Sequence, residues 1–213
     1  TVIVEEPTYF VVEKIFRDHD LKIVGVPIDQ YGMQVSELRK KLENGLRPSF
    51  VYTIPTYQNP TGVCMSIDRK NELIRLSEEF DFLIFADEVY QLMNFGQLPP
   101  APYMSLHHRD RVVSFGSFSK ILAPGLRTGW IHASEGIVSK FSDAAVTFSG
   151  GGLNHFAATL IREVIDLGFL EERLLSFKGE LNDTKYLAVI NCFGNSITSF
   201  WSWKDSTING GYG

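Results

Sequence analysis

Short apolar runs alternate with longer amphipathic segments along this chain, and that alternation constrains its fold more than any other feature. The predicted strands are the apolar runs Val2–Val4, Leu21–Val26, Phe50–Ile54, Phe82–Ala86, Arg111–Phe115 and Gly129–Ala133. The predicted helices are the segments Pro7–His19, Val35–Leu42, Ser66–Phe80, Leu153–Leu167 and Phe169–Val189. Strands that alternate with helices form a mainly parallel sheet covered on both faces. We therefore predict an α/β fold of three layers, αβα, with the functional site at the strand ends.

Two of the predicted strands are followed at once by polar residues. The run 50–54 precedes the segment PTYQNPTG, in which Asn59 stands before a proline and is held out of the helical conformation. The run 82–86 ends at Asp87, and Tyr90 follows three residues later, so one short loop can offer both side chains to a ligand. Taken alone, the first segment is better explained by a simple Asn-Pro turn, and Asp87 is also consistent with a helix cap.

A third strand leads into the segment GSFSKILAPGLR, which contains Ser117, Ser119, Lys120 and Arg127. Its small and turn-forming residues let the backbone come close to a ligand. A lysine that bonds to an aldehyde, beside groups that hold an anion, suits pyridoxal 5'-phosphate (PLP), which has both an aldehyde and a phosphate. The alternative for this segment alone is a surface turn with two ordinary basic residues.

The segments PTYQNPTG, ADEVY and GSFSKILAPGLRTGW together resemble the class I/II aminotransferases, which are fold-type I PLP enzymes. Asn59 and Asp87 are 28 residues apart, and Asp87 and Lys120 are 33 apart, which fits that family. The gap of seven residues from Lys120 to Arg127 is typical of the branch with aminoadipate and kynurenine aminotransferases. The resemblance implies that residues 1–189 are part of a PLP-binding large domain. Residues 190–213 are then the beginning of a small C-terminal domain or a non-native tail.

The resemblance also implies a role for four polar side chains around the cofactor ring. Lys120 resembles the catalytic Schiff-base lysine, whose amine moves a proton between the substrate Cα and the cofactor. Asp87 resembles the carboxylate that pairs with the pyridine nitrogen and keeps the ring an electron acceptor. Asn59 and Tyr90 resemble the pair that donates hydrogen bonds to the 3′ oxygen.

Four further residues match the family's phosphate and stacking positions. Ser117, Ser119 and Arg127 resemble the phosphate anchors, and an arginine suits this role because its planar fork binds phosphate oxygens in pairs. Tyr9, in the segment EEPTY, resembles the aromatic residue that stacks on the cofactor ring. An aromatic residue at the start of a helix is equally consistent with a core position.

The family's early Gly/Ser-rich turn and its C-terminal substrate-binding arginine have no counterpart in this sequence, and residues from about Cys192 onward match the family poorly. We therefore expect a fragment truncated at both ends. Such a chain would bind PLP weakly or not at all, and would have no useful turnover, because cofactor positioning requires the whole set of contacts.

Composition argues against other classes of protein. The 20 basic and 25 acidic residues give a net charge of −5 without a basic tract, which argues against a nucleic-acid partner. No apolar run approaches the roughly 20 residues of a membrane span. Cys64 and Cys192 fit no metal-ligand spacing, so we predict no metal site and free thiols in a reducing compartment. We expect a soluble protein of the cytoplasm or an organellar matrix.

The resemblance implies a homodimeric aminotransferase of amino acid metabolism, often biosynthetic, that exchanges an amino group between an amino acid and a 2-oxo acid. The sequence does not predict which amino acid. Two alternatives are open: another fold-type I PLP enzyme, such as a C–S lyase or decarboxylase, and the PLP-sensing domain of a transcription regulator.

Overall fold

A computed structural model describes residues 1–93, 98–106, 110–148 and 154–180, and within them the strands form one sheet of seven. The strands are β1 (Val2–Glu6), β2 (Ile23–Asp29), β3 (Gly32–Met33), β4 (Phe50–Thr53), β5 (Leu83–Asp87), β6 (Val112–Ser117) and β7 (Gly129–Ala133). Their order across the sheet is β3-β2-β1-β4-β5-β6-β7. The pairs from β2 to β6 are parallel, and only the two outer strands, β3 and β7, pair antiparallel. The predicted α/β fold with a mainly parallel sheet is confirmed.

The helices follow the strands in alternation through the first half of the chain. They are α1 (Phe10–Asp18), α2 (Val35–Glu43), α3 (Ile67–Phe80), α4 (Phe118–Ile121), α5 (Glu135–Ser142), α6 (Ala145–Phe148), α7 (His155–Asp166) and α8 (Phe169–Glu180). Two short 3-10 helices lie at Tyr103–Ser105 and Pro124–Leu126. The predicted tail 190–213, which includes Cys192, and the end of the last predicted helix lie outside the described residues. None of the described helices is long and apolar enough to cross a membrane.

One predicted helix begins later than its sequence pattern indicates. The prediction Pro7–His19 included Tyr9, but Tyr9 has extended backbone and α1 starts at the next residue. Just before the helix, the carbonyl of Pro7 accepts a hydrogen bond from Gln58 Nε2 at 2.8 Å, which ties this segment to the loop after β4. By contrast, α3 begins where predicted, since Ser66 Oγ accepts a hydrogen bond from the backbone N–H of Arg69.

The sheet separates two apolar clusters, which accounts for the unbroken apolar runs of its central strands. In β1, Ile3 packs with Leu38 of α2 and Leu73 of α3 on one face. Val2 and Val4 pack with Val12 and Phe16 of α1 on the other face. Helices therefore cover both faces, as expected for a three-layer fold.

The chain reverses its direction of travel across the sheet between β1 and β4. From β1 the chain moves outward to β2 and β3, whereas β4, β5 and β6 follow one another on the other side. The loops that leave the carboxyl ends of β1 and β4 consequently diverge. In open α/β sheets, the crevice outside such a switch point is where ligands bind.

Candidate active site

All eight side chains that the sequence analysis assigned to a cofactor site line one cavity of about 240 Å³. They come from the segments after β1, β4, β5 and β6 and are Tyr9, Asn59, Asp87, Tyr90, Ser117, Ser119, Lys120 and Arg127. Ile54 and Val89 complete the lining. Residues far apart in sequence meet here because neighbouring parallel strands end at the same edge of the sheet.

Asp87 is the last residue of β5, and its two carboxylate oxygens have different surroundings. Oδ2 accepts a hydrogen bond from the hydroxyl of Tyr52 at 2.6 Å. Oδ1 is buried and has no hydrogen-bond partner among the described residues. Burial raises the pKa of Asp87 to about 6, although the Tyr52 hydroxyl, the backbone N–H of Val89 and the Lys120 ammonium all favour the ionised form. The open oxygen is an acceptor available to a ligand that carries an N–H group.

Lys120 lies in α4, directly after β6, and is half-buried. Partial burial lowers the pKa of Lys120, and the nearby Arg127 guanidinium lowers it further, while the Asp87 carboxylate opposes both effects. A lowered pKa increases the fraction of neutral amine near neutral pH. The neutral amine is the form that attacks an aldehyde.

Asn59 and Tyr90 meet across the cavity, although they follow different strands. Burial raises the pKa of the Tyr90 phenol to about 12, and the nearby Asn59 side chain opposes part of that rise. The hydroxyl of Tyr90 is therefore protonated at neutral pH. Together the two side chains present an amide and a phenol, both able to donate a hydrogen bond to a ligand oxygen.

Two hydroxyls and a guanidinium contribute to the wall of the same cavity. Ser117 ends β6 and caps α4, and its Oγ accepts a hydrogen bond from the backbone N–H of Ser119 at 3.1 Å. Arg127 adopts a left-handed conformation (φ 49°, ψ 42°) after the 3-10 helix, and its Nη1 donates to the Pro124 carbonyl at 3.3 Å. A guanidinium beside hydroxyl donors is a combination that binds phosphate.

A second buried acid, Glu5 near the end of β1, was missed by the sequence analysis. Glu5 is 1% exposed, and its side chain joins β1 to the end of β4. Oε1 accepts a hydrogen bond from Thr53 Oγ1, and Oε2 accepts from the backbone N–H of Ile54 at 3.2 Å and from Gln58 Nε2 at 3.1 Å. Burial raises the pKa of Glu5 to about 7. An apolar run that ends in an acid was the available signal, the same one that indicated Asp87.

Gln58 connects this acid to the loop that carries Asn59. Its Nε2 also donates to the carbonyl of Pro7, and its Oε1 accepts from the backbone N–H of Thr61 at 3.0 Å. Every polar atom of the Gln58 amide group thus ties the loop to itself or to the segment before α1. These contacts place Asn59 and Tyr9 on the same cavity, so Gln58 and Glu5 support the site without lining it.

The fold and this arrangement of groups agree with comparisons to known proteins. The family model for aminotransferases of class I and II matches residues 1–182, and the chain belongs to this family. The family expected from the sequence is therefore confirmed. The roles of individual site residues stay predictions.

Three similar proteins illustrate the range of the family. Aromatic-amino-acid aminotransferase 1 of Thermococcus litoralis is 34% identical over 81% of the chain and 42% of its own length. The uncharacterized HTH-type transcriptional regulator YisV of Bacillus subtilis is 31% identical over 88% of the chain and 38% of its own length. The crystal structure of Pyrococcus horikoshii kynurenine aminotransferase in complex with PMP superposes with a TM-score of 0.77, at 34% identity, over 84% of the chain and 45% of that protein. The chain thus spans about two fifths of the length of these curated relatives.

Proposed function

We propose that this protein is a PLP-dependent aminotransferase, which transfers an amino group between an amino acid and a 2-oxo acid. The observation that carries the proposal is the open, buried Oδ1 of Asp87 in the same cavity as Lys120 and Arg127. A bound PLP would supply an aldehyde and an electron-accepting ring that stabilises negative charge at the substrate Cα. The groups present fit this cofactor: an acceptor for its ring nitrogen, a lysine for its aldehyde and a guanidinium for its phosphate.

Asp87 would accept a hydrogen bond from the protonated ring nitrogen through Oδ1. A positive charge next to this carboxylate favours its ionised form and offsets part of the cost of burial. Asn59 and Tyr90 would donate hydrogen bonds to the oxygen on the neighbouring ring carbon. Tyr90 can do so because its raised pKa keeps the phenol protonated.

Ser117, Ser119 and Arg127, here called the phosphate wall, would hold the phosphate group. Tyr9 would stack on the ring from the segment before α1. Its ring already lies edge-on to Phe10, with centroids 5.6 Å apart, and packs beside the cluster of α1 and β1. These contacts would fix the orientation of the ring, on which the direction of bond cleavage at Cα depends.

Lys120 would have two successive tasks in the reaction. Its neutral amine would first condense with the cofactor aldehyde with loss of water, and a lowered pKa favours that neutral form. After an incoming amino acid displaces it, the same amine would take the proton from the substrate Cα and deliver it to the cofactor carbon that had been the aldehyde. Its location in α4, next to Ser119, keeps it beside the phosphate wall throughout.

Borohydride trapping tests the cofactor site on the purified 213-residue chain. Reduction is irreversible, so it accumulates even a sparsely populated lysine–PLP adduct, and peptide mapping then locates the added mass. We expect the adduct on Lys120, with its loss in Lys120→Ala and its retention in Lys14→Ala, which removes an exposed lysine of α1. Equal labelling of many lysines, unchanged by Lys120→Ala, would refute the proposed cofactor site.

The products formed from an added amino acid distinguish the type of reaction. An aminotransferase releases a 2-oxo acid and leaves the amino group on the cofactor, whereas a C–S lyase releases ammonia and a decarboxylase releases carbon dioxide. The similarity to YisV favours one second candidate, a PLP-binding sensor domain of a regulator. Measured at stoichiometric protein concentration, where one slow turnover per chain is detected, that candidate predicts trapping at Lys120 without release of any of these products.

A further inference from the structure

Tyr52, in the middle of β4, is a buried polar residue to which the proposed mechanism gives no task. The residue is 2% exposed, and its hydroxyl donates to Asp87 Oδ2 at 2.6 Å. The ring of Phe16 packs edge-on to the Tyr52 ring at 5.8 Å between centroids, and the ring of Phe115 stacks near it at 6.3 Å. Packing on two sides fixes the phenol, so its hydroxyl has a defined position.

The register of the sheet determines that this hydroxyl meets Asp87. Tyr52 pairs with Phe85 in the parallel ladder between β4 and β5. Asp87 lies two residues beyond Phe85, so its side chain points to the same face of the sheet as that of Tyr52. A long tyrosine side chain spans this diagonal, whereas a shorter residue at position 52 would leave the carboxylate without a partner.

We propose that Tyr52 is the positioning residue of Asp87: its hydroxyl holds Oδ2 and thereby leaves Oδ1 turned toward an N–H group of the ligand. The identity of that ligand group, the ring nitrogen of PLP, rests on the proposed function. The contact between Tyr52 and Asp87 itself does not.

Tyr52 also affects the acidity of Asp87, together with the charged groups around the carboxylate. Among the effects that oppose burial, the Tyr52 hydrogen bond favours the ionised carboxylate most, followed by the Val89 N–H and the Lys120 ammonium, while Glu88 disfavours it. Glu5 is also close enough to interact with Asp87. Tyr52 stays a donor because burial and the Asp87 charge raise its own pKa well above the ordinary value. Its removal should therefore raise the pKa of Asp87.

The first test measures Asp87 directly and needs no cofactor. In the chain labelled with 13C-aspartate, the Asp87 carboxyl resonance is assigned by its loss in Asp87→Asn and followed from pH 4 to pH 9. We expect Tyr52→Phe to raise the titration midpoint by about one pH unit, as loss of a hydrogen bond to a charged group implies. Tyr103→Phe is the matched control, because it removes another buried hydroxyl. That hydroxyl lies outside the cavity and contacts Met65 Sδ at 3.3 Å. An equal midpoint in wild type and Tyr52→Phe would overturn the proposal.

A second variant keeps the test informative should Tyr52→Phe fail to fold. Site-specific replacement Tyr52→3-fluorotyrosine preserves the ring and makes the hydroxyl a stronger donor, so it should lower the Asp87 midpoint. A midpoint that does not fall would overturn the proposal in the same way.

The third test separates positioning from a purely structural role by a double-mutant cycle on PLP affinity. The affinity is measured from the dependence of the initial rate of trapping at Lys120 on PLP concentration. Tyr52→Phe should weaken PLP binding roughly tenfold in the wild-type background and have little effect in the Asp87→Asn background. Equal effects in both backgrounds would show that Tyr52 acts through the fold rather than through Asp87. Labelling spread over many lysines and unchanged by Lys120→Ala would refute the proposed cofactor site instead, while the titration would still decide the Tyr52–Asp87 coupling.

Discussion

Replacement of Glu5 by glutamine is expected to stabilise the chain above neutral pH, although it removes a residue with three hydrogen bonds. Glutamine has the same shape and can accept from Ile54 and Gln58 through its oxygen, while its amide donates to Thr53 Oγ1. What it lacks is the charge. Glu5 must carry that charge in a site where it is fully buried, and burial is the main cause of its raised pKa.

The magnitude follows from the two pKa values of this carboxyl. The pKa is about 7 in the folded chain and 4.5 as the ordinary value, which describes the unfolded chain. Below pH 4.5 the group is protonated in both states and its contribution to stability is fully present. Above pH 4.5 the carboxyl ionises in the unfolded chain but stays protonated in the folded one, so this contribution falls. It is lost once the pH has risen through 7. A difference of about 2.5 pKa units corresponds to about 3 kcal/mol in the free energy of unfolding.

Urea unfolding of wild type and Glu5→Gln at pH 4, 6 and 8 measures this effect. The two chains should be similar at pH 4, and Glu5→Gln should gain about 3 kcal/mol relative to wild type by pH 8. Asp87 titrates in both chains, so its contribution largely cancels in the difference. Glu6→Gln, which changes the exposed neighbour of Glu5 in β1, is the matched control and should show no comparable gain. A difference between wild type and Glu5→Gln that is constant with pH, or that falls as the pH rises, would refute this account of Glu5.

Two further predictions concern the phosphate wall and its support. Arg127→Ala should weaken PLP trapping at Lys120 roughly tenfold to a hundredfold but leave trapping of pyridoxal, which has no phosphate, nearly unchanged; equal losses for both aldehydes would contradict a phosphate role. Gly116→Ala should destabilise the chain and reduce trapping at Lys120, because its Cβ would overlap the Trp130 indole at the β6–β7 pair that leads into Ser117. Gly125→Ala is the control, since a Cβ there meets no described atom within 4 Å, and equal stability of the two variants would refute the steric argument.

The location of the cavity could be predicted from sequence because it depends only on strand order along the chain and on the direction of the strands. Asn59, Asp87 and Ser117 each follow an apolar run, and parallel strands bring such positions to one edge of the sheet. Its location could be predicted without knowing which strand pairs with which. Family resemblance then supplied a chemical role for each group.

The supporting contacts could not be predicted in the same way, because they depend on register and on the conformation of loops. The Tyr52–Asp87 contact exists because Tyr52 pairs with Phe85 rather than with a neighbour, and a shift by one residue would turn the phenol to the other face. The hydrogen bond from Gln58 to the carbonyl of Pro7 joins residues that are 51 apart in sequence, and the local pattern before Phe10 gave no sign of it. The helix α4 has four residues, too few for any periodicity to appear.

Glu5 and Asp87 show how one sequence pattern leads to two different uses of a buried carboxylate. Each lies in an apolar strand near its carboxyl end, and burial raises the pKa of both. Both oxygens of Glu5 have partners within the protein, so its hydrogen bonds are complete without a ligand. Asp87 has one oxygen held by Tyr52 and one with no partner among the described residues, although burying an unpaired acceptor is costly. A ligand N–H group would offset this cost, so the unpartnered oxygen, rather than the raised pKa, is what distinguishes the acid proposed to bind a ligand from the one whose contacts are complete.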